Sequence, residues 1–269
     1  MSWPLDYPTN PTPRYGHGRP WHGELESILA ARQPAYAELL DELARYAPEM
    51  AGLAVSAAEV GPGAPFWAND FLPALDAVSL SYLLATRAPG TYLEVGSGES
   101  TKFAHAALRG RGAATRVVSI DPQPRAEIDA LCDTVIRSGL EDAPAEVYEA
   151  LPPGDVLFFD GSHRVGMSSD VAVFFLEVLP RLAPGVLVQI HDIYWPADHP
   201  AEWAPRHYSE QYVLAACLLA APERYEVILP NAYVCQEPSL RQRLEAVFQP
   251  LAAPAPLRHG QSFWFTKRY

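Results

Sequence analysis

The stretch TYLEVGSGESTKF, residues 91–103, decides the fold of this chain. An apolar strand pattern over 91–95 runs into Gly-Ser-Gly at 96–98, and a polar helix start follows. Glycines let a backbone approach a ligand closely, and the first amides of a helix are free to bind one. Glu94, near the end of the strand, would have little role in a turn that binds no ligand. We therefore predict a ligand-binding strand–loop–helix unit rather than a tight turn without a ligand. Its predicted contacts are Glu94, Gly96, Ser97, Gly98 and Thr101.

The rest of the sequence continues this alternation of strands and helices. Further strands are predicted at 115–120, 133–137, 155–160 and 185–190, and helices at 100–109, 124–131, 142–150, 167–180 and 209–220. Such alternation implies right-handed crossovers and a doubly wound parallel sheet in an α/β fold. Two last strands, at 225–230 and 262–268, flank a helix at 237–248. We expect the helix at 167–180 to bury one face, which begins with Met167.

The first 89 residues have a different character. Residues 1–22 are rich in Pro, Gly, Trp and Tyr and predict an irregular arm. Helices are predicted at 24–47, with a break at Pro34, and at 69–86. We therefore divide the chain into an N-terminal arm and helical extension, 1–89, and a ligand-binding domain, 90–269. The aromatic arm is a candidate subunit contact in a homo-oligomer.

Composition excludes several classes of partner. The formal net charge is −12, which argues against nucleic acid or an anionic membrane surface. No apolar run approaches the roughly 20 residues of a membrane span, and no signal-peptide pattern is evident at the N-terminus. The three cysteines, Cys132, Cys217 and Cys235, lack zinc or redox spacing. We expect reduced thiols and a cytoplasmic protein.

Two candidate ligand contacts follow the next strands. Asp121 ends the second strand, 23 residues after Gly98, where a carboxylate can accept both hydroxyls of a ribose. The alternative role for Asp121 is to cap a turn before Pro122. Gly139 and Leu140 follow the third strand and are candidates to lie against an adenine; an ordinary loop is the alternative.

A second group of candidates follows strands four and five. Asp160 closes the fourth strand, His163 follows three residues later, and the fifth strand ends at His191 and Asp192. Asp160 is also a candidate cofactor contact and catalytic residue. Because the carboxyl ends of parallel strands meet at one edge, Asp160, His191 and Asp192 can converge. Two carboxylates and an imidazole suit a divalent cation, and we predict a metal site there. The alternative is that the acids cap turns. His199 and His207 are expected at the surface.

Several competing cofactor motifs are incomplete. Gly-x-Gly-x-x-Gly would need glycine where Thr101 stands, which weakens a dinucleotide site. The chain has two lysines, Lys102 and Lys267. Neither follows a glycine, as a P-loop requires, and neither lies four residues after a tyrosine, as a short-chain dehydrogenase requires.

In this order, the motifs resemble those of the class I S-adenosylmethionine-dependent methyltransferases. The resemblance covers about 90–269 and depends on Glu94-x-Gly96-x-Gly98, Asp121, DVLFFDGSH, LPRLAPGVLVQIHD and the closing strand pair. It implies a seven-stranded sheet with one antiparallel strand and S-adenosylmethionine as cofactor. It also implies that the first acid and the glycines hold the methionine part, Asp121 the ribose, and the residues after strand three the adenine.

Asp160-x-x-His163 with His191-Asp192 further resembles the metal-dependent sugar O-methyltransferases of macrolide and aminocoumarin tailoring. This resemblance implies a bacterial enzyme in which Asp160 and Asp192 bind Mg²⁺ and His163 is the catalytic base. His191 departs from the pattern, because those enzymes carry an acid there. The expected reaction is O-methylation of a small hydroxylated, sugar-like or natural-product substrate, in which metal and base together activate the hydroxyl.

Three other functions stay open. They are a metal-free methyltransferase acting on another acceptor, a nicotinamide-dependent oxidoreductase, and a cofactor-binding scaffold without catalysis. The loop 193–208 carries Tyr194, Trp195, Trp203 and Tyr208, which are candidates for a lid or a substrate wall or, for two or three of them, for core packing.

Overall fold

A computed structural model describes residues 11–112 and 114–269. Within these residues, seven strands form one sheet in the order β3-β2-β1-β4-β5-β7-β6. The strands are β1 (Thr91–Val95), β2 (Arg116–Ile120), β3 (Thr134–Ile136), β4 (Val156–Phe159), β5 (Leu187–Ile190), β6 (Tyr225–Pro230) and β7 (Phe263–Lys267). The predicted fold class, a doubly wound and mostly parallel sheet, is confirmed.

The sheet is parallel from β3 to β5, and β7 runs antiparallel to both of its neighbours. β1 lies at the centre, with Glu94 opposite Ser119 of β2 and Phe158 of β4. β4 and β5 are buried along their whole lengths, as expected for parallel strands covered by helices on both faces. The carboxyl ends of β1, β2, β4 and β5 therefore meet at one edge.

Helices cover the sheet on both faces. They are α1 (Gly23–Ala30), α2 (Gln33–Tyr46), α3 (Ala74–Arg87), α4 (Glu99–Gly110), α5 (Glu146–Glu149), α6 (Asp170–Val173), α7 (Leu179–Arg181), α8 (Glu210–Ala220), α9 (Asn231–Gln236) and α10 (Arg241–Phe248). A π-helical segment, Phe174–Val178, joins α6 to α7 into one continuous helix over 170–181. The break at Pro34 is confirmed, since this proline lies in the first turn of α2.

Several predicted helices begin late or fail to form, and proline explains much of this; the helix predicted at 69–86, for example, begins at Ala74, after Pro73. The helix predicted at 124–131 is reduced to a 3₁₀ turn, Asp129–Leu131, because Pro122 and Pro124 keep the chain before it extended. The helix predicted at 142–150 shrinks to α5, which begins after Pro144. The helix predicted from 167 begins at Asp170, so Met167, expected on its buried face, is fully exposed.

The N-terminal extension packs on the same core as the sheet. α3 lies beside α4, and α2 lies beside α10. The described part of the arm also packs on its own chain: the Tyr15 ring lies 6.3 Å from that of Trp195, and the Trp21 ring lies 5.6 Å from that of Tyr233. Residues 1–10 of the predicted arm lie outside the described residues, and its role as a subunit contact stays a prediction.

Within the described parts of the chain, no helix has both the length and the apolar character that a membrane crossing requires.

Candidate active site

A cavity of about 400 Å³ opens at the carboxyl edge of the sheet. The ends of β1, β2 and β4 and the loops that follow them and β3 form most of its wall. The lining includes Gly96, Ser97, Gly98, Asp121, Gly139, Leu140 and Asp160 among the predicted cofactor contacts. Seven of the nine predicted contacts are therefore brought to one cavity.

Gly96 brings two of these loops into contact. Its φ is +80°, in the left-handed region that favours glycine. A Cβ atom at this position would lie 1.7 Å from the carbonyl oxygen of Asp160, so no side chain fits. The loop after β1 is thus pressed against the end of β4, and the glycine fixes where Asp160 stands relative to the cavity.

The other two predicted contacts, Glu94 and Thr101, do not line the cavity. Glu94 is fully buried, and its carboxylate accepts hydrogen bonds from the hydroxyls of Ser100 and Thr101, the latter at 2.6 Å. Burial raises the pKa of Glu94 to about 7, against the pull of the two hydroxyls. The side-chain polar atoms of Glu94 and Thr101 are hydrogen-bonded within the protein, so these two residues stabilise the loop and do not face the cavity.

Asp121 is held at the cavity wall by backbone groups. One carboxylate oxygen accepts the N–H of Ser97 at 2.7 Å, and the other accepts the N–H of Gln123 at 2.7 Å. Each carboxylate oxygen has a second lone pair, so the side chain can still accept hydroxyl groups from a ligand. Asp121 therefore stabilises the turn and also lines the cavity, and its contact with a ribose stays a prediction.

Sequence reasoning missed part of this wall. Phe71 and Leu72, from the N-terminal extension, line the cavity together with Arg125. The Arg125 guanidinium lies 5.3 Å from the centroid of the Phe71 ring, a cation–π arrangement. Phe71 remains about half exposed. Little in the local sequence pointed to these residues, because they follow an irregular turn before α3.

His163 is the centre of a second, buried group of residues next to the cavity. Its Nε2 lies 3.1 Å from Asp160 and 3.6 Å from Asp192, while its Nδ1 contacts the carboxylate of Glu210. Tyr208 stacks on the imidazole with ring centroids 4.2 Å apart. Burial disfavours the charged imidazole, but Glu210 and Asp160 outweigh it and raise the pKa of His163 well above its ordinary value.

His191 occupies the same group from the end of β5. Its Nε2 lies 3.2 Å from Asp76, and its Nδ1 lies 3.3 Å from Asp192 and 3.7 Å from Asp160. Burial lowers the pKa of His191, but Asp160 and Asp192 raise it further, to well above its ordinary value. Asp76 fixes the imidazole orientation, since an ionised carboxylate can only accept and therefore binds Nε2–H.

Asp160 and Asp192 lie close enough for one cation to contact both. Asp160, His163 and Asp192 each place one donor atom within 4.8 Å of the others. Oδ1 of Asp192 is buried, and the 3.3 Å contact that it makes with Nδ1 of His191 lacks the geometry of a hydrogen bond. The predicted metal set contained His191 instead of His163; the structure brings both imidazoles to the two acids. This donor set of carboxylates and imidazoles fits a divalent ion.

Asp76 and Glu210 were both missed in the sequence. Asp76 lies on α3 and also accepts from Asn231 and from the backbone N–H groups of Gln261 and Ser262. Glu210 is the first residue of α8 and is fully buried. An acid among the apolar residues of α3 was a usable signal for Asp76. Nothing in the sequence indicates which side chain either acid contacts.

Part of the loop after β5 is buried in the protein core. Trp195, a candidate for lid or wall, is 3% exposed, and its indole N–H donates to the Gln211 carbonyl. His199 was expected at the surface; it is buried instead, and its Nε2 bonds the Asp192 carbonyl at 2.9 Å. His207 is exposed, as expected. A lid would thus be limited to about residues 200–207, and its movement stays a prediction.

A family model described as a methyltransferase domain matches residues 93–193, which are 101 of the 269 residues. The chain carries a methyltransferase domain. The match runs from β1 through β5 and includes the cavity loops and His163, His191 and Asp192. The match and the sheet order fit an S-adenosylmethionine-dependent methyltransferase domain over this segment. No curated protein matches the sequence.

Solved structures resemble this chain in overall fold. The O-methyltransferase from Bacillus cereus in complex with SAH is 15% identical, covers 93% of this chain and 92% of its own, and has a TM-score of 0.45. The SAH-bound Podospora anserina methyltransferase is 18% identical, covers 80% and 95%, and has a TM-score of 0.42. At these values, the likeness carries no inference about substrate or mechanism.

Proposed function

We propose that this protein transfers the methyl group of S-adenosylmethionine to a hydroxyl of a small, sugar-like or natural-product molecule. The observation that carries the proposal is the junction at Asp160. This residue lines the cofactor cavity and also contacts His163, so the cavity and the buried group of acids and imidazoles share a wall. A methyl donor and a group that removes a proton would then stand side by side.

The charge of the cavity supports S-adenosylmethionine over a nicotinamide dinucleotide. Five carboxylates line it among the described residues, against one guanidinium, that of Arg125. Such a wall attracts a sulfonium cation and repels a pyrophosphate. The nicotinamide alternative is therefore disfavoured by charge as well as by Thr101 in place of the third glycine.

His163 is the proposed base. Methyl transfer is an in-line displacement, so the protein must align the acceptor oxygen with the methyl group and remove the hydroxyl proton. Glu210 holds Nδ1, which leaves Nε2 directed at Asp160 and Asp192 on the cavity side. Without a cation, the raised pKa keeps both ring nitrogens of His163 protonated. A divalent ion held by Asp160 and Asp192 would offset the charge of these acids, and Nε2 of the neutral imidazole would then accept the proton.

Asp160, Asp192 and Nδ1 of His191 are the proposed holders of a divalent ion. With Nε2–H bound to Asp76, Nδ1 of a neutral His191 presents its lone pair toward both carboxylates, which is the donor arrangement that an ion requires. A bound ion supplies Lewis acidity, which lowers the pKa of a hydroxyl near it. Nε2 of His163 stays free of the ion so that it can take the proton.

A binding and activity screen tests the proposal. Thermal unfolding is measured with S-adenosylmethionine, S-adenosylhomocysteine, NAD and NADP, each with and without Mg²⁺. We expect the first two to stabilise the protein and the dinucleotides to leave it unchanged. Transfer of a labelled methyl group to a panel of sugars and hydroxylated natural products then tests the acceptor class. Stabilisation by NAD alone would overturn the proposal.

The metal has its own test. We expect a chelator to abolish methyl transfer and added Mg²⁺ or Mn²⁺ to restore it, with the affinity for S-adenosylhomocysteine unchanged. Full activity with chelator present would favour the runner-up, a metal-free methyltransferase in which protonated His191 supplies the positive charge between the two acids.

A further inference from the structure

The acids that line the cofactor cavity differ in how far their oxygens are already used. Asp121 accepts two backbone N–H groups, Asp160 contacts the imidazoles, and Asp170 accepts the N–H and hydroxyl of the loop before it. Glu141 is exposed to water. Glu99, at the first position of α4, is the acid that combines burial with an unused oxygen.

The Glu99 side chain is about 10% exposed. One oxygen, Oε1, accepts from Nζ of Lys102 at 2.8 Å, while Oε2 is buried without a hydrogen-bond partner in the part of the chain that the structure describes. A buried carboxylate oxygen without a donor is unfavourable. A cationic donor from a ligand in the cavity would satisfy it with a charge-assisted hydrogen bond.

Lys102 holds Glu99 in this position. It lies one turn further along α4, is itself buried, and places its ammonium 5.5 Å from the centroid of the Phe66 ring. The lysine thus fixes one carboxylate oxygen and balances part of the charge, while the second oxygen is left for a ligand. Lys102 does not line the cavity, so it acts through Glu99 as a positioning residue.

We infer that Glu99 binds the α-ammonium group at the amino-acid end of the cofactor, an inference that rests on the function proposed above. The order of the strands supports this assignment. Asp121, the ribose candidate, follows β2, and Leu140, the adenine candidate, follows β3, on the outer side of β2. A ligand extended along this edge brings its amino-acid end to β1 and to the start of α4, where Glu99 stands.

Titration calorimetry with two ligands tests the inference. S-adenosylhomocysteine carries the amino-acid end, and 5′-methylthioadenosine lacks it while keeping adenine, ribose and sulfur. We expect Glu99→Gln to lower the affinity for S-adenosylhomocysteine by about 10- to 50-fold, because a charge-assisted hydrogen bond is lost. The affinity for 5′-methylthioadenosine should stay within about twofold of the wild-type value. Lys102→Met should lower the affinity for S-adenosylhomocysteine by a smaller factor and leave that for 5′-methylthioadenosine unchanged. Glu177→Gln, an exposed acid outside the cavity, is the charge-matched control.

The outcomes separate this inference from the proposed function. Unchanged affinity of Glu99→Gln for S-adenosylhomocysteine, or equal losses for both ligands, would overturn the role of Glu99. Retained binding of 5′-methylthioadenosine shows that the variant still folds and keeps its cavity. If the wild-type protein binds neither ligand, the proposed function itself fails.

Discussion

The two halves of the carboxyl edge are built in different ways. The half at the ends of β1, β2 and β3 holds most of the open cavity, and residues after β4 close one side of it. The half formed by β4 and β5 is closed, and His163, His191 and Asp192 are buried in it. The first half is shaped by chain geometry around Gly96, and the second by contacts between charged side chains.

The difference lies in the distance along the sequence over which each half is assembled. Asp121 and the N–H that it accepts are 24 residues apart, within one strand–helix–strand unit. Asp76 and His191 are 115 residues apart, and His163 and Glu210 are 47 apart. The cofactor half can therefore form from neighbouring units, whereas the histidine half requires α3 and α8 to be in place. Four changes test this contrast.

The largest effect is expected for the base. His163→Ala should lower the turnover number by about 10²–10⁴, the usual loss for a general base, while the affinity for S-adenosylhomocysteine stays within about twofold. Steady-state kinetics and calorimetry measure the two quantities. His207→Ala, which removes an exposed imidazole from the neighbouring loop, should change neither. Loss of cofactor affinity in His163→Ala would show that the two halves are not separable.

The next effect concerns the support of the histidine half. Asp76→Ala leaves His191, Asn231 and two backbone N–H groups without their acceptor in the core. We expect the free energy of unfolding in urea to fall by about 3–5 kcal/mol, as for a broken buried ion pair. Asp41→Ala, which removes the exposed partner of Arg243, should cost less than about 1 kcal/mol. Equal losses in the two variants would contradict the assigned role of Asp76.

In the cofactor half, Glu94 should give a pH-dependent stability. Because burial raises its pKa to about 7 in the folded protein, the folded state holds a proton that the unfolded state releases above about pH 4.5. Its contribution to stability is therefore present at low pH and is lost as the pH rises through about 7.

Glu94→Gln removes this dependence. Between pH 4.5 and pH 8, the free energy of unfolding of the variant should rise relative to that of the wild type by up to about 3 kcal/mol. Urea titrations across this range measure the difference. The pKa of Glu210 is also raised to about 7 by burial, but it contributes equally to both proteins and cancels. A constant difference across the range would contradict a buried, protonated Glu94.

The smallest effect is expected for Asp121. Asp121→Ala should weaken the binding free energy of S-adenosylhomocysteine by about 1.5–3 kcal/mol, because hydrogen bonds to the ribose are lost, and should leave the histidine half unaffected. Calorimetry measures the affinity, and His163 titration followed by NMR reports on the other half. Unchanged affinity in a folded variant would remove Asp121 from the ligand contacts.

How much the sequence could predict follows from this contrast. The alternation of strands and helices, the Gly96 loop and the position of Asp121 were predictable, because each depends on residues close together in the chain. The seven-stranded sheet was predictable only from the resemblance to a known family, since it pairs distant strands such as β5 and β7. Asp76 and Glu210 were not, because their roles depend on which helices pack against the end of β5. The helix predicted at 124–131 was wrong because periodicity outweighed the two prolines before it. His199 was misplaced because a polar residue in a long loop is usually exposed.

The two lysines of the chain have a consequence for chemical labelling. Lys102 is 6% exposed, and Lys267 is 5% exposed with its ammonium bound to carbonyl oxygens at the end of α7. The basic surface is therefore carried by arginine, which amine-directed reagents do not modify. Acylation of either ε-amino group requires local opening, at the cofactor loop for Lys102 and at the edge of β7 for Lys267. The modification rates of these two side chains would thus report how often two separate regions of the fold open.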